Sequence, residues 1–456
     1  MKTNESSRYL NLLIRLLTIL IAVWPALYNG FPLVTSDTGT YIHSGLTMIL
    51  PIDRPWAYGI FILISSFHTT LWGVILWQGI IFTWLIKAIC QQIWGKDFSI
   101  IKIALITIFI SFGTAAAWIN SQLMADFFTS MLLLSLLLLY LKIKNKESHF
   151  WLYSFILFCT LTHNSNMLIL LGGSIILGIY SLLQKNKTWT RVNIKLLALS
   201  LFAVITVSFM NFVKFKTFSL SPGSHLFMIS RLAEQDLLDL YLDKTCETKD
   251  FELCQFKGGF GDRQWDFMWH NEQLPHFKDN GWIASKEEYS AIIKGVFSDP
   301  KLLSLFILKS IESTGKQLTQ IYIGEGMTVL VDNQQPYPIV KKFFNHQLKE
   351  YRSSFQHQGV LNFGIFNWFS IILSLFTCFS ALFLSQRKTA LSTKSQISWQ
   401  SIFGITILFI VLNAFITANL STITARLNIR AFWILPFISL LYCIDKLNIF
   451  QESKKI

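Results

Sequence analysis

Two acids and two arginines, Asp37, Asp126, Arg426 and Arg430, are the residues of this chain whose types and settings best suit chemistry. Asp37 lies in a polar stretch, Phe31 to Tyr58 (FPLVTSDTGTYIHSGLTMILPIDRPWAY). This stretch also carries Tyr41, Asp53, Arg54 and hydroxyls at Thr35, Ser36, Thr38 and Thr40. Asp126 sits in NSQLMADFF, His163 and Asn164 in LTHNSNM, and the arginines in ITARLNIRAFWILP. A carboxylate can accept the proton of an attacking hydroxyl, while guanidinium groups fork phosphate oxygens and steady a leaving group. Glycosyl transfer from a phosphate-bearing lipid needs both services, because negative charge builds on the leaving group as the anomeric carbon becomes oxocarbenium-like. Plainer readings compete: Asp37 or Asp126 as a helix cap, Asp53 as a turn or ion-pair residue, His163 as a hydrogen-bonded core histidine, and the arginines as headgroup anchors.

The elements that must position these groups are membrane helices. The chain has 456 residues, 52% hydrophobic and 14% charged, with 40 Phe and a mean hydropathy of +0.46. That composition excludes an ordinary soluble protein, so the net charge of +13 is read against the spans rather than as a nucleic-acid footprint. Windows of roughly twenty apolar residues give about ten spans. They lie near 9–29, 71–94, 99–119, 122–142, 149–167, 168–184, 194–213, 364–385, 401–420 and 428–446. The first resembles a signal sequence but lacks a small-x-small cleavage pattern and reads as a retained span.

Charge then sets the expected orientation. One set of loops holds Lys2 and Arg8; Lys96 and Lys102; Lys142, Lys144 and Lys146; Lys185, Lys187, Arg191 and Lys195; Arg387, Lys388 and Lys394; and Lys446, Lys454 and Lys455. The opposite loops near Asn120 and His163 have none, so both termini are expected inside. Arg426 and Arg430 are the exceptions that call for a reason. On this topology the chain divides into a transmembrane module at 1–213, an extracytoplasmic insert at 214–363 and a second transmembrane module at 364–456. Residues 57–70 are expected to form a surface helix, and amphipathic helices are expected over Leu226 to Leu242 and Lys301 to Ile323. Cys246 and Cys254 are candidates for a disulfide if the insert faces an oxidising compartment. GGFGD at Gly258 lacks the strand–loop–helix context of a nucleotide site and reads as a turn.

Several of these features resemble the GT-C class of polytopic glycosyltransferases, which includes dolichyl-phosphate-mannose and aminoarabinose transferases. They are an acid just after the first span, D-R-P-x-x-Y-G leading into a surface helix, an acid at the head of the fourth span, and R-x-x-x-R-x-x-x-x-x-P from Arg426 to Pro436. The likeness covers roughly 1–215 and 364–446; the insert matches nothing familiar. It implies an all-α, polytopic helical bundle, a polyprenyl-phosphate-linked sugar as donor and an acceptor glycan, lipid or protein. Its active site would face outward from a bacterial inner membrane. It also implies Asp37 as base or acceptor-orienting group with Asp126 in support, and Arg426 and Arg430 on the donor phosphate. Tyr41, Asp53, Arg54, His163 and Asn164 are further candidate substrate contacts. A divalent metal occurs in some members. Here Asp37 is followed by Thr38 where many members carry a second acid, so the sequence requires no metal and names no ligand for one. Rival readings are a ligase or polymerase of lipid-linked glycans, a transporter or flippase, and a non-catalytic scaffold. Transport calls for charge in the middle of the spans, whereas here it gathers at one end.

Overall fold

The computed structural model describes residues 2–143, 149–327, 329, 331–386 and 398–450, and its regular structure there is helical, with one isolated bridge between Leu33 and Gln122. The basic residues Lys144, Lys146, Arg387, Lys388, Lys394, Lys454 and Lys455 lie outside the described residues. The chain begins with α1 (Lys2–Ala22), α2 (Trp24–Asn29), α3 (Thr38–Thr47), α4 (Ala57–Ser66), α5 (Trp72–Trp94), α6 (Ile100–Gly113) and α7 (Ala116–Asn120). It continues through α8 (Asp126–Lys142), α9 (Phe150–Leu161), α10 (Asn164–Leu183) and α11 (Lys187–Phe215). Shorter helices follow: α12 (Ser224–Glu234), α13 (Leu237–Thr245), α14 (Gln264–Trp269), α15 (Gly281–Ala284), α16 (Lys286–Ser298), α17 (Pro300–Leu318), α18 (Tyr337–Phe343) and α19 (Leu348–Ser353). The chain closes with α20 (Gly364–Gln386), α21 (Trp399–Leu420), α22 (Ala425–Phe432) and α23 (Ile434–Lys446).

Among the described residues, six segments are long and apolar enough to cross a membrane: α5, α10, α11, α20, α21 and the continuous pair α22–α23. Their outward faces agree with that reading. α20 leaves Trp368, Phe369, Ile372, Phe376 and Phe379 exposed, and α11 leaves Phe202, Ile205 and Phe209 exposed. Continuous apolar faces of this kind are not left to water. The arginine-bearing α22–α23 is the most enclosed of the six, with 83% of its apolar window buried against 22% for α20. α8 is enclosed as well, buried from Asp126 through Leu139. These two segments therefore form the middle of the bundle, and α20 its rim.

Several expected elements differ in detail. The span expected over 9–29 breaks at Val23 between α1 and α2, the span expected over 99–119 breaks at Thr114 and Ala115 between α6 and α7, and the surface helix expected over 57–70 ends at Ser66. The helix expected over Leu226 to Leu242 is two helices, because Asp236 adopts a left-handed conformation (φ 59°) between α12 and α13. An aspartate accepts this conformation more readily than most residues. The helix expected over Lys301 to Ile323 begins at Pro300, where Asp299 caps it through Lys301 and Leu302 N–H, and stops at Leu318. The short spans expected at 149–167 and 168–184 meet at His163, whose extended backbone separates α9 from α10.

Within the expected insert, residues 224–302 enclose an apolar cluster of their own, with Leu226, Ile229, Leu237, Phe267, Tyr289 and Ile292 at its centre. Tyr337, Val340, Phe344 and Tyr351 belong instead to the main bundle's core. Cys246 and Cys254 are joined in a disulfide, and the GGFGD stretch is a turn with Gly258 and Gly261 at positive φ.

α3 and α4 carry the polar stretch and pack backbone to backbone. A Cβ on Gly45 would lie 2.2 Å from the Gly59 carbonyl oxygen, and one on Gly59 would lie 2.5 Å from Ser44 Oγ. Overpacking of this kind costs about 1–3 kcal/mol, so Gly45→Ala and Gly59→Ala are expected to lower the thermal unfolding midpoint of the detergent-purified protein. Gly404→Ala, on α21 with open space at its Cβ, serves as the neutral control.

Candidate functional site

Backbone pairing brings the polar stretch to the head of α8. Leu33 N–H donates to Ser121 O and Leu123 N–H to Leu33 O, each at 2.9 Å. The side chain of Gln356 grips both polar groups of Val34, at 3.1 and 2.6 Å. Thr38 Oγ, fully buried, donates to Leu123 O at 3.2 Å and accepts from Thr35 N–H at 2.9 Å. Thr38 is thus a tie between the two segments at the position where a second acid would sit in the resembled class.

These ties hold Asp37 and Asp126 against the first turns of α22. Asp37 occupies the position before α3 but makes no capping hydrogen bond. Its carboxylate lies instead between two guanidinium groups, 3.1 Å from Arg54 Nη2 and 2.9 Å from Arg426 Nη1. Arg54 also grips Asp53, at 3.0 and 2.5 Å, and stacks 5.0 Å over the Tyr41 ring. Asp126, likewise not a cap, pairs with Arg430 at 2.6 Å. Arg426 and Arg430 are one helical turn apart on α22, a spacing that puts both on one face.

Burial separates the two pairs. Arg430 has no exposed surface, and its guanidinium is fully engaged by Asp126, by Asn413 Oδ1 at 3.2 and 3.1 Å, and by Ser165 Oγ at 2.8 Å. His163 Nδ1 lies 2.8 Å from the same Ser165 hydroxyl, and Asn164 donates to Asp53 O at 3.2 Å. By contrast the Asp37 side chain is 28% exposed and that of Arg426 22%. All nine residues singled out in the sequence therefore meet in one network. Three of its acids, Asp37, Asp53 and Asp126, face its three arginines.

The roles within it are unequal. Arg430 is enclosed and cannot touch a substrate without rearrangement, while Asp37, Arg54 and Arg426 reach the surface. Burial alone would favour a neutral Asp37, but Arg54 and Arg426 outweigh it and hold the carboxyl well below the ordinary carboxylate range. Two polar atoms next to the network, Asp126 Oδ2 and Asn164 Oδ1, are buried without a hydrogen bond among the described residues. Asp126 Oδ2 lies 3.9 Å from Arg426 Nε. No group of three or more His, Cys, Asp or Glu among the described residues is placed to hold a metal ion. Each acid faces a guanidinium rather than another acid, so we derive no step through a metal.

Asn413 and Glu325 belong to the network without having been singled out from the sequence. Asn413 is legible as a lone amide in the apolar run ILFIVLNAF. Glu325, whose carboxylate accepts the Ala425 and Arg426 N–H groups, carries no sequence signal at all. No protein-family model, curated protein or solved structure matches this chain.

Breaking a buried ion pair by removing one partner costs about 3–5 kcal/mol, whereas replacing both by apolar groups is often neutral. Asp126→Leu and Arg430→Met are each expected to destabilise the protein strongly in detergent thermal unfolding, and the double variant to recover most of the loss. Asp37 stabilises the fold above its unfolded pKa of 3.8 and loses that contribution as pH falls through its lower folded value. In Arg426→Gln the folded value rises toward 3.8. The acid-side fall of the unfolding midpoint, followed against pH, is therefore expected to be shallower than in wild type.

Proposed function

We propose that this chain is a membrane glycosyltransferase of the GT-C kind. It would move a sugar from a polyprenyl-phosphate carrier to an acceptor glycan, lipid or protein at the outer face of a bacterial inner membrane. The observation that carries the reading is the partly exposed Asp37 held between Arg54 and Arg426, at the end of the bundle where a substrate can enter. The proposal includes the finer topology: about ten spans, both termini inside, and the insert outside with the disulfide. In support, Lys96, Lys102, Lys142 and Lys446 belong to the helix ends remote from the site.

The geometry suggests how the network would work. A donor phosphate draws on Arg426 and Arg54, whose planar forks suit its oxygens. As Arg426 turns to phosphate, Asp37 loses a cationic partner, and its carboxylate becomes more basic when a base is wanted. The acceptor oxygen attacks the anomeric carbon, the bond to the phosphate oxygen breaks with its electron pair on phosphate, and Asp37 takes the acceptor's proton. One displacement inverts the anomeric centre. Arg430 and Asp126 hold α22 in place beneath this exchange.

General acid–base groups contribute roughly 10²–10⁴-fold, so Asp37→Asn is expected to lower transfer by that order while leaving expression intact. The check is mass spectrometry of surface and lipid-linked glycans in a deletion strain of the native host, complemented with wild type or with Asp37→Asn. Loss of a single sugar, restored only by wild type, supports the reading. Loss of a whole repeat unit transfers it to a glycan ligase or polymerase. Unchanged glycans, with the protein made and no paralogue present, overturn it in favour of transport or a scaffold.

A further inference from the structure

The helix that carries both arginines, α22, is only eight residues long, and its first turn is held by the end of α17 and the segment that follows it. Gln317 pairs with both backbone polar groups of Thr424, at 2.9 and 3.0 Å. Asn428 donates back to Leu318 O at 3.3 Å and Gln320 O at 3.0 Å. Beyond them, Glu325 accepts from Ala425 N–H and, at 3.4 Å, from Arg426 N–H. The segment is itself anchored: Asn367 of α20 exchanges hydrogen bonds with both backbone groups of Ile323, at 2.5 and 2.9 Å.

Two glycines make the approach possible. Gly324 (φ 109°) lies under the Phe363 ring, where a Cβ would come within 2.7 Å. At Gly326 (φ 76°) a Cβ would sit 3.7 Å from Arg426 Cδ and 3.9 Å from Thr35 Cγ2. The segment therefore passes against both the side chain of Arg426 and the stretch at Thr35 that leads to Asp37. The first four N–H groups of a helix have no intrahelical partner, and a carboxylate there offsets the positive end of the helix.

We propose that Glu325 is a positioning residue for Arg426: by fixing the first turn of α22 it sets the reach of that guanidinium toward Asp37 and toward a donor phosphate. The inference deepens the proposed function and, for its phosphate half, rests on that reading. It gives the insert a share in gripping the donor, with Glu325 acting through Arg426 rather than touching the reacting atoms.

Two measurements on the full chain in detergent test it, one without any substrate. The first is a cycle of thermal unfolding midpoints for wild type, Glu325→Ala, Arg426→Gln and the double variant. If Glu325 acts by presenting Arg426, the drop caused by Glu325→Ala is expected to be less than half as large once Arg426 is already Gln, since coupled residues are non-additive. Equal drops in both backgrounds would show a plain helix cap and overturn the inference. The second is the affinity for farnesyl phosphate, a short polyprenyl phosphate. By loosening the first turn of α22, Glu325→Ala is expected to weaken binding about tenfold. Glu325→Gln, which keeps an acceptor oxygen at the same reach, is expected to restore most of it, and Glu325→Ala to have no further effect in the Arg426→Gln background. Undiminished binding in Glu325→Ala overturns the phosphate half. A wild-type protein that fails to bind the probe counts against the glycosyltransferase reading and the phosphate half together, while the stability cycle still decides whether Glu325 positions Arg426.

Discussion

A guanidinium with no exposed surface cannot stay charged inside a helical bundle unless a carboxylate and several acceptors surround it. Arg430 meets that demand with Asp126, Asn413 and Ser165, which come from α8, α21 and α10. One arginine thereby fixes how four helices meet, because the other three must each deliver an oxygen to the same planar fork. The desolvation penalty makes the arrangement sensitive to the loss of any one partner.

One turn earlier on α22, Arg426 is held less tightly. It shares Asp37 with Arg54, and both it and Asp37 are partly open. The same helix thus carries one fully enclosed arginine and one that is partly open. On the proposed reading, an incoming phosphate would take an arginine from a carboxylate rather than bring unpaired charge into a dry interior. The carboxylate released would become the stronger base, so that reading links binding and proton acceptance in one exchange.

The end of α17 and the segment after it add a further constraint on α22. Gln317 and Glu325 satisfy the backbone groups of the turn before α22 and of its first residues, where a short helix is least able to satisfy its own. Residues 224–302 enclose a separate apolar cluster, while 337–361 pack onto the bundle. Between those two regions runs the stretch that touches the arginines.

Composition and periodicity by themselves determined that the chain is helical and built for a membrane, because burying apolar faces in lipid needs long apolar runs that any reader of the sequence can count. The residues of the network were also legible, since Asp37, Asp126, Arg426 and Arg430 are charges placed where charge is costly, next to apolar runs. Their partners were not. That Asp37 sits between Arg54 and Arg426, residues 17 and 389 positions away from it in the chain, depends on the pairing of Leu33 with Ser121 and Leu123. Such pairing leaves no periodic trace. Nor could the sequence say which arginine is enclosed, because exposure is decided by α8, α10 and α21 closing around α22. Glu325 shows the limit most plainly: an acid in a Gly-rich connection has no pattern to mark it, and only tertiary contact with the Ala425 and Arg426 amides gives it a role.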